Sequence, residues 1–256
     1  MPDEVLYDVQ GRVATVTLNR PAQRNAVDPE LARALEAAVD RVEADPEVWV
    51  AVLTGAGEVF SAGADLKAIA AGRAAELSTE RGGFAGFVRH PRSKPVIAAV
   101  RGLALAGGLE LVLACDLVIA SRDAAFGLPE VTRGIFAAAG GVFRLPKAIP
   151  PARARELILT GDRLLAEEAH RLGLVNRLVE PDDVLLTARA LADRICRNAP
   201  VAVRESLAIA RRAPGVDEEE GWRLTAAARV RVNASEDARE GPRAFAEKRE
   251  PRWSGR

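Results

Sequence analysis

Hydrophobic and polar residues alternate along the chain with two different periods, which predict two kinds of element. Period-two patterns at 5–9 and 12–18, separated by a Gln-Gly turn, predict a β-hairpin. Residues 29–44 carry apolar side chains at helical spacing, and Asp28 followed by Pro29 is typical of a helix start. Shorter apolar runs predict further strands at 49–54, 94–100, 117–120 and 174–179, and a short helix is expected near Leu66.

The second part of the chain has a predominantly helical pattern. Between the two parts, residues 71–93 have no clear period and hold several glycines, so we expect an irregular and mobile segment. We interpret residues 1–197 as a mixed α/β core and residues 198–256 as a helical C-terminal region. The predicted later helices are 151–159, 166–171, 183–198, 200–212, 217–232 and 236–247.

A predicted helix at 107–114 is apolar nearly all round and yet contains a carboxylate. The helix opens with Gly107 and Gly108, and Glu110 follows within one turn. A buried carboxylate is unfavourable unless it has partners or a chemical task. Glycines just before it favour a close approach of a ligand to backbone N–H groups. Because Glu130 follows in a separate apolar segment, the pattern predicts an active site with two carboxylates and a backbone anion site.

Composition and charge exclude several classes of function. The chain has 256 residues, 48% of them hydrophobic, and 36 basic residues balance 36 acidic ones, so nothing indicates nucleic acid or a membrane surface as partner. Two cysteines do not support a disulfide framework. Apolar runs are too short for a bilayer, and Asp3 and Glu4 differ from the basic start of a signal peptide. We therefore expect a soluble, cytoplasmic protein.

Six segments carry motifs whose order is more specific than any one of them. They read LNRPAQRNAVD (18–28), FSAGADL (60–66), GLALAGGLELVLACDLVIA (102–120), FGLPEV (126–131), LTGDRLLAEEAHRLGLVNRLV (159–179) and FAEKREP (245–251). In this order they resemble the crotonase family, also called the enoyl-CoA hydratase/isomerase superfamily. The resemblance implies an α/β fold with a spiral core of ββα units and a helical C-terminal region that forms trimers, often paired as a dimer of trimers. It also implies acyl-CoA substrates and no metal or nucleotide cofactor.

The resemblance implies a role for four residues at the reacting atoms. The backbone N–H groups of Ala64 and Gly107 would form an oxyanion hole for the thioester oxygen. Glu110 and Glu130 would hold a water that adds to the β-carbon of an enoyl thioester. Gly107 and Glu110 are three residues apart and so share a helix face. Isomerases of the family typically keep only the counterpart of Glu130, so the pair favours hydration or dehydration, as in an enoyl-CoA hydratase.

Further residues are implied in coenzyme A and acyl-group binding. Arg24 would contact coenzyme A phosphates, and Lys248 would reach the ligand of a neighbouring subunit. Ala26 and Ala62 would line the adenine and pantetheine path, and Asp65 is also expected to cap or brace the next helix. The predicted substrate-binding residues are Arg24, Ala26, Ala62, Asp65, Leu66, Gly108, Phe136 and Lys248.

One departure from the family pattern concerns the acyl end of the site. Many hydratases carry a proline and then a small or polar residue where this chain has Phe136 and Ala137, so Phe136 is expected to reshape the acyl pocket. The segment GGVFRLPKAIPP resembles the carnitinyl-CoA dehydratase branch, whose acyl group carries a trimethylammonium. An aromatic cage would suit that cation, but aromatic residues are only 4% of the chain. Carnitinyl-CoA dehydration therefore stays open as an alternative, beside isomerisation and acyl-CoA binding without catalysis.

Each residue of the predicted site also has a purely structural interpretation. Gly107 and Gly108 would then only permit tight helix packing. Glu110 would be a buried ion-pair partner of an arginine, and Glu130 a charge in the first turn of a helix.

Three other enzyme classes have partial support in the sequence. GAGEVFSAGAD follows a strand, as in a dinucleotide-binding dehydrogenase, but lacks the third glycine at the required offset. A serine hydrolase would use Ser61, which is not in a G-x-S-x-G motif, with His90 or His170, both expected at the surface. Scattered His and Cys residues disfavour a zinc enzyme.

Overall fold

Strands and helices alternate through the first two thirds of the molecule, as the hydrophobic periods predict. A computed structural model describes residues 3–256. The strands are β1 Val5–Gln10, β2 Val13–Leu18, β3 Val50–Gly55, β4 Ser78–Thr79, β5 Gly83–Phe84, β6 Val96–Val100, β7 Leu103–Leu105, β8 Leu117–Ser121, β9 Ala125–Gly127, β10 Arg163–Leu165 and β11 Arg177–Val179.

The helices agree with the predicted ones to within two residues, except that α4 was not predicted. They are α1 Pro29–Ala44, α2 Leu66–Ala70, α3 Gly107–Ala114, α4 Gly141–Ala148, α5 Pro151–Thr160, α6 Ala166–Arg171, α7 Val184–Cys196, α8 Pro200–Arg212, α9 Glu218–Ala234 and α10 Asp237–Ala246. Short 3-10 turns lie at Pro21–Gln23, Ala74–Leu77, Pro129–Arg133, Pro181–Asp183 and Ala213–Gly215.

Two sheets run side by side through the core. The larger one has the order β1-β2-β3-β6-β8-β11, in which only the β1–β2 hairpin is antiparallel. The smaller one has the order β10-β9-β7. The chain passes from the larger to the smaller sheet and then into a helical turn twice, as β6-β7-α3 and as β8-β9 followed by the 3-10 turn at Pro129–Arg133. This repeat is the ββα spiral that the resemblance implied.

The larger sheet is covered by helices on both faces. On one face α1 begins with Asp28, whose side chain accepts a hydrogen bond from the Leu31 amide, and it buries Leu31 and Leu35 completely. On the other face α7 packs Ala188 and Ala192 against the valines and isoleucines of the same strands. Because both faces are buried, the parallel strands are apolar throughout rather than alternating.

The irregular segment 71–93 folds back onto α1. It contains a 3-10 turn and the β4–β5 ladder, so regular structure is sparse, as predicted. Glu36 of α1 accepts a hydrogen bond from the Gly82 amide at 3.1 Å. At Gly86 a Cβ would lie 2.5 Å from the Ala32 carbonyl oxygen, so only glycine allows this contact. The loop that follows β4 is therefore packed tightly against α1, and its predicted mobility stays a prediction.

The chain from Pro200 onward forms the expected helical region, α8 to α10. Its last residues return to the core, where the Trp253 indole N–H donates to the Arg197 carbonyl at 2.7 Å. A domain boundary between 197 and 198 stays a prediction. None of the helices between residues 3 and 256 combines the length and apolar character needed to cross a bilayer.

Candidate active site

The loop after β3 is held by main-chain hydrogen bonds to the segment before α1. The Ala62 amide donates to the Arg24 carbonyl at 2.9 Å, and the Val27 amide donates to the Gly63 carbonyl at 2.7 Å. The Asp65 amide returns to the Val27 carbonyl at 2.8 Å. The two segments thus form a short parallel bridge around Ala64, although the sequence separates them by almost forty residues.

Ser61 fixes the other side of this loop. Its buried hydroxyl donates to the Asn25 carbonyl at 2.9 Å and accepts from the Gly63 amide at 3.1 Å. The Ser61 backbone pairs with β7, accepting from the Leu105 amide at 3.0 Å. Both hydrogen-bonding capacities of the hydroxyl are used by backbone groups, so Ser61 is a structural residue.

The start of α3 is held in a conformation that few residues adopt. Ala106 has φ 52° and ψ −127°, and its amide donates to the Gly127 carbonyl at 2.9 Å. A non-glycine residue with this φ is strained, and such strain is typical of functional sites. The strained residue directs the first amides of α3 toward the loop after β3, since a Cβ on Gly63 would lie 2.8 Å from the Gly107 nitrogen.

Two backbone N–H groups meet in this corner without partners. Neither the Ala64 amide nor the Gly107 amide donates a hydrogen bond to any atom of residues 3–256. Gly107 is the first residue of α3, where the helix leaves its amides unpaired and its dipole favours negative charge. The arrangement can therefore bind an oxygen on which negative charge develops.

The glycines at 107 and 108 are required by close packing as well. A Cβ on Gly108 would lie 2.3 Å from the Ser61 carbonyl oxygen, and a Cβ on Gly107 would lie 2.4 Å from the Phe84 ring. The packing interpretation is thus correct for both positions. It is also what allows the two unpartnered amides to approach each other.

Glu110 projects from the first turn of α3 and is buried, with 3% of its surface exposed. Its Oε1 accepts a hydrogen bond from the Gly141 amide at 2.8 Å, and it forms no ion pair with any residue of the described chain. The ion-pair interpretation of Glu110 is therefore wrong. The pKa of Glu110 is raised to about 7, mainly by burial. The hydrogen bond from the Gly141 amide lowers this pKa, and the nearby charge of Glu130 raises it.

Glu130 lies in the 3-10 turn at Pro129–Arg133, directly after Pro129. It is 8% exposed, and its Oε2 is buried without a hydrogen-bond partner among the residues described. Burial raises the pKa of Glu130, opposed by its own backbone amide. Although Glu130 does occupy a first turn, as the structural interpretation held, an unpaired buried carboxylate oxygen is costly and calls for a further explanation.

The charge of Glu130 acts on the carboxyl group of Glu110. Glu130 raises the pKa of Glu110, so removal of the second proton is disfavoured by the charge left by the first. Near neutral pH Glu110, whose pKa is about 7, is therefore divided between its protonated and ionised forms. One ionised and one protonated carboxyl group in an apolar site is the requirement for a general base and a general acid working together.

The profile of a known family covers almost the whole chain. The family described as Enoyl-CoA hydratase/isomerase matches residues 8–256. The chain belongs to this family. The crotonase resemblance is thereby confirmed, and with it the spiral α/β fold.

Similar proteins cover the chain from end to end. It is 46% identical over 261 residues to a carnitinyl-CoA dehydratase from Salmonella arizonae and 45% identical over 262 residues to one from Proteus mirabilis, and both alignments cover all of both chains. A crystal structure of an enoyl-CoA hydratase from Mycobacterium tuberculosis H37Rv has a TM-score of 0.95 and 48% identity, covering 99% of this chain and 100% of that one. A carnitinyl-CoA hydratase structure from Mycobacterium avium has a TM-score of 0.77 and 45% identity, with both chains fully covered.

Several binding residues predicted from the enoyl-CoA hydratase/isomerase family surround the paired segments. Arg24 is exposed and has a left-handed backbone, with φ 53°, at the end of the first 3-10 turn. Ala26 is buried beneath it and Ala62 is half-buried. Leu66 begins α2 with 52% of its surface exposed. These residues lie on the two segments that pair at Ala64 or directly after them, and their contact with a ligand stays a prediction.

Asp65 has the capping role expected for it. Its side chain accepts from the Lys67 amide at 2.9 Å and from the Arg20 guanidinium at 3.1 Å. Burial opposes ionisation, but these two donors hold the pKa of Asp65 below its usual value. Arg20 also bridges to Asp28, so one buried arginine joins the starts of α1 and α2.

Two predicted site residues of this family are exposed in the single chain. Phe136 is 64% exposed on the segment between Glu130 and α4. Lys248 is exposed just after α10 and has a left-handed backbone, with φ 53°. Their proposed contacts with a substrate stay predictions.

Gly141 beside Glu110 and Phe84 beside Gly107 are site residues that sequence reasoning missed. Gly141 supplies the amide that binds Glu110, and Phe84 places its ring on Gly107. The pair Gly140-Gly141 resembles the glycine pair that opens α3, but Pro146 in the following segment hides the helix that begins there. Phe84 lies in a segment without a period, so the pattern alone does not reveal its contact with Gly107.

The competing enzyme classes find no matching geometry. β3 ends at Gly55 and is followed by a loop of ten residues before α2, whereas a dinucleotide fingerprint needs a helix directly after the turn. His170 is exposed, as expected, but His90 is buried, and its Nε2 lies 3.1 Å from Asp40 of α1. The expectation of a surface His90 is wrong because this contact joins the loop 71–93 to α1.

Proposed function

We propose that this protein is a hydro-lyase that adds water across the α,β double bond of a 2-enoyl-CoA to give a 3-hydroxyacyl-CoA. The observation that carries the proposal is the joint burial of Glu110 and Glu130 beside two unpartnered amides. Membership of the enoyl-CoA hydratase/isomerase family supports an acyl-CoA thioester as the substrate.

In the proposed reaction, the two free amides bind the thioester oxygen. In the reaction, electron density moves from the double bond to this oxygen when the β-carbon is attacked. The N–H groups of Ala64 and Gly107 donate to the resulting enolate oxygen. Since they are fixed by backbone contacts before substrate arrives, no reorganisation is needed at that moment. One such donor contributes about 10²–10³-fold in rate in other enzymes.

In the proposed reaction, the carboxyl pair binds the water and transfers the protons. The ionised carboxyl group takes a proton from water as its oxygen bonds to the β-carbon, and the protonated one gives its proton to the α-carbon. The pair thus holds one proton before and after the reaction, and the same steps in reverse dehydrate the product. The unpartnered Oε2 of Glu130 and the free oxygen of Glu110 would accept the two hydrogens of this water.

Turnover of enoyl-CoA thioesters tests this proposal. Loss of the enoyl-thioester absorbance is followed with crotonyl-CoA and longer 2-enoyl-CoAs. We expect turnover by the native chain and a fall in kcat of at least about 10²-fold for Glu110→Gln and for Glu130→Gln. Glu205→Gln, a half-buried glutamate ion-paired with Arg231 on the C-terminal helices, should retain full activity.

Calorimetric titration with coenzyme A separates catalysis from binding alone. If the native chain binds coenzyme A but converts none of the enoyl-CoAs, the protein is an acyl-CoA-binding protein and the proposal is wrong. If kcat survives in both glutamine variants, the carboxyl pair has been assigned the wrong task. Formation of a shifted double bond without hydration would instead support an isomerase.

Carnitinyl-CoA dehydration is a second candidate, favoured by one observation. Proteins carrying that name are 45–46% identical over the full chain. The reaction needs the same two carboxyl groups and differs only at the acyl end, where a trimethylammonium must be accommodated. We therefore compare kcat/KM for crotonobetainyl-CoA and crotonyl-CoA. A preference of about tenfold or more for the cationic substrate selects this function, and the opposite preference selects a general enoyl-CoA hydratase.

A further inference from the structure

Arg144 is a half-buried arginine of α4 that binds carbonyl oxygens rather than carboxylates. Its Nη2 donates to the Val88 carbonyl at 2.6 Å, and its Nη1 donates to the Ala139 carbonyl at 3.3 Å. No acidic side chain in the described part of the chain lies within ion-pair distance of it. A cation in this setting is expensive, so its two hydrogen bonds indicate a function for the guanidinium at this place.

One of the two carbonyls belongs to the turn that binds Glu110. Ala139 precedes Gly140 and Gly141, and the Gly141 amide donates to Glu110. The guanidinium lies directly over Gly140, where a Cβ would be 2.7 Å from Nη1. Gly140 has φ 112°, a conformation that favours glycine, so the turn is shaped around the arginine.

The other carbonyl belongs to the loop that carries Phe84. The Val88 amide donates to the Phe84 carbonyl at 3.3 Å, so the two residues form one turn. The Phe84 ring in turn rests on Gly107, whose amide is one of the two free donors. Arg144 therefore bridges the segment that binds the carboxylate and the segment that packs against the amide.

We propose that Arg144 is a positioning residue that holds the Gly141 amide on Glu110 and, through Val88, holds Phe84 against Gly107. It does not touch the reacting atoms and acts through these two contacts. The inference rests on the proposed function in one respect, the catalytic task of Glu110. The positions of Gly141 and Phe84 as held by Arg144, here called the clamp, follow from the hydrogen bonds and from the packing of Gly140.

The charge of Arg144 adds an electrostatic consequence to the clamp. The groups that face Glu110 are Glu130, which raises its pKa, and Arg144, which lowers it. Arg144 itself faces Cys115 and Arg92 besides Glu110, and burial lowers the pKa of the guanidinium. Removal of the charge and loss of the Gly141 hydrogen bond both destabilise ionised Glu110, so both changes raise its pKa.

Carbon NMR of protein labelled at the glutamate carboxyl carbon measures the pKa of Glu110 without any substrate. The Glu110 resonance is identified by its loss in Glu110→Gln, and its titration is recorded for the native chain and for Arg144→Met and Arg144→Lys. We expect Arg144→Met to raise the apparent pKa of Glu110 by about 0.5–1 unit. Arg144→Lys, which keeps the charge but lacks the fork that reaches two carbonyls, should give a smaller rise.

Arg211→Met is the matched control. Arg211 also donates to two backbone carbonyls, those of Arg92 and Lys94, but it is ion-paired with Asp116 and contacts neither carboxylate of the site. The Arg211→Met variant should lose thermal stability without a change in the pKa of Glu110. An unchanged titration in Arg144→Met, or an equal shift in Arg211→Met, overturns the inference. Should Arg144→Met fail to fold, an unchanged titration in Arg144→Lys together with unchanged kcat overturns it as well.

Turnover measurements extend the test and keep the two proposals apart. Both Arg144 variants should lower kcat by about tenfold or more with a smaller change in KM, because a displaced Glu110 affects the chemical step. An inactive native chain would refute the proposed function while leaving the NMR result to decide the role of Arg144.

Discussion

At the scale of the residue, Glu110 is where stability and function conflict. Its carboxyl group has one hydrogen bond from Gly141, an apolar surrounding and a second carboxyl group nearby. Each of the last two features disfavours the ionised form, which the proposed reaction needs for part of each turnover. The site is therefore expected to be less stable than a neutral replacement would make it.

This conflict predicts a pH-dependent gain in stability for Glu110→Gln. Between about pH 4.5, its ordinary pKa, and about pH 7, folded Glu110 keeps a proton that the unfolded chain releases. The free energy of unfolding of the native protein therefore falls as the pH rises through this window. Glutamine does not titrate and still accepts from the Gly141 amide. At pH 8 the variant should be more stable, by on the order of 1–3 kcal/mol, with no difference near pH 4.5.

Urea unfolding at both pH values measures the effect. Glu205→Gln is the control with opposite sign. Arg231 lowers the pKa of Glu205, so the native protein has this ion pair at pH 8, and the variant lacks it and should be less stable there. Equal stability of Glu110→Gln and the native chain at pH 8 would contradict the prediction.

At the scale of the element, the 3-10 turn that carries Glu130 is supported by a separate helix, α5. The 3-10 turn at Pro129–Arg133 packs on the end of α5, where Gly161 has φ 75°. A Cβ on Gly161 would lie 2.9 Å from Thr132 Cγ2 and 3.2 Å from Pro129 Cα. The family segment LTGDRL is thus the support on which Glu130 rests.

Gly161→Ala should consequently lower kcat as well as stability. Its methyl group pushes Pro129 and Thr132, and displacement of a catalytic group by about 1 Å costs about 10²-fold in rate. Gly173→Ala is the matched control, since Gly173 also has a positive φ, 91°, but a Cβ there meets nothing within 4 Å. Both variants should lose similar thermal stability, and only Gly161→Ala should lose turnover. Equal kcat in the two variants would refute the support role.

The elements that sequence predicts best are those with a strong period. α1, α7, α8 and α10 have amphipathic patterns, and the first hairpin alternates cleanly. β7, β9 and β10 were not foreseen, because each has three residues and pairs with partners far along the chain. α4 was missed because Pro146 lies inside it and interrupts a helical pattern.

The same limit applies to the candidate site. Glu110 and Glu130 stand out because acidic residues in apolar segments are unusual, and the glycines mark a close approach. The role of Gly141 depends on a hydrogen bond over 31 residues, and that of Ala106 on a backbone angle. Neither leaves a mark on periodicity or composition. Geometry that is made by long-range contacts can be found only in the folded chain.

At the scale of the whole molecule, the C-terminal helices expose large apolar side chains. Trp222 and Val230 of α9 are 67% and 70% exposed, and Phe245 of α10 is 87% exposed. Such a group on neighbouring helices is typical of a surface that is covered by another chain. It agrees with the expectation of a trimer or a dimer of trimers.

We therefore expect light scattering to give the mass of a trimer or hexamer. Val230→Lys and Phe245→Lys should shift the protein toward smaller species, because a charge would be buried in the contact. Leu186→Lys is a control at a similarly exposed residue, 69%, on α7 outside these helices. A native protein that is monomeric at micromolar concentration would contradict the prediction.

Because the two free amides belong to the backbone, mutation affects them differently from side chains. A side-chain functional group can disappear in one mutational step, but a peptide N–H belongs to every residue except proline. At position 107 proline would collide with Phe84, since even a Cβ there lies 2.4 Å from the ring. Substitutions can therefore replace the carboxyl groups, and with them the proposed reaction, while the two backbone N–H groups remain. Removing it cleanly takes chemistry outside the genetic code, such as an ester in place of the Ala64 amide.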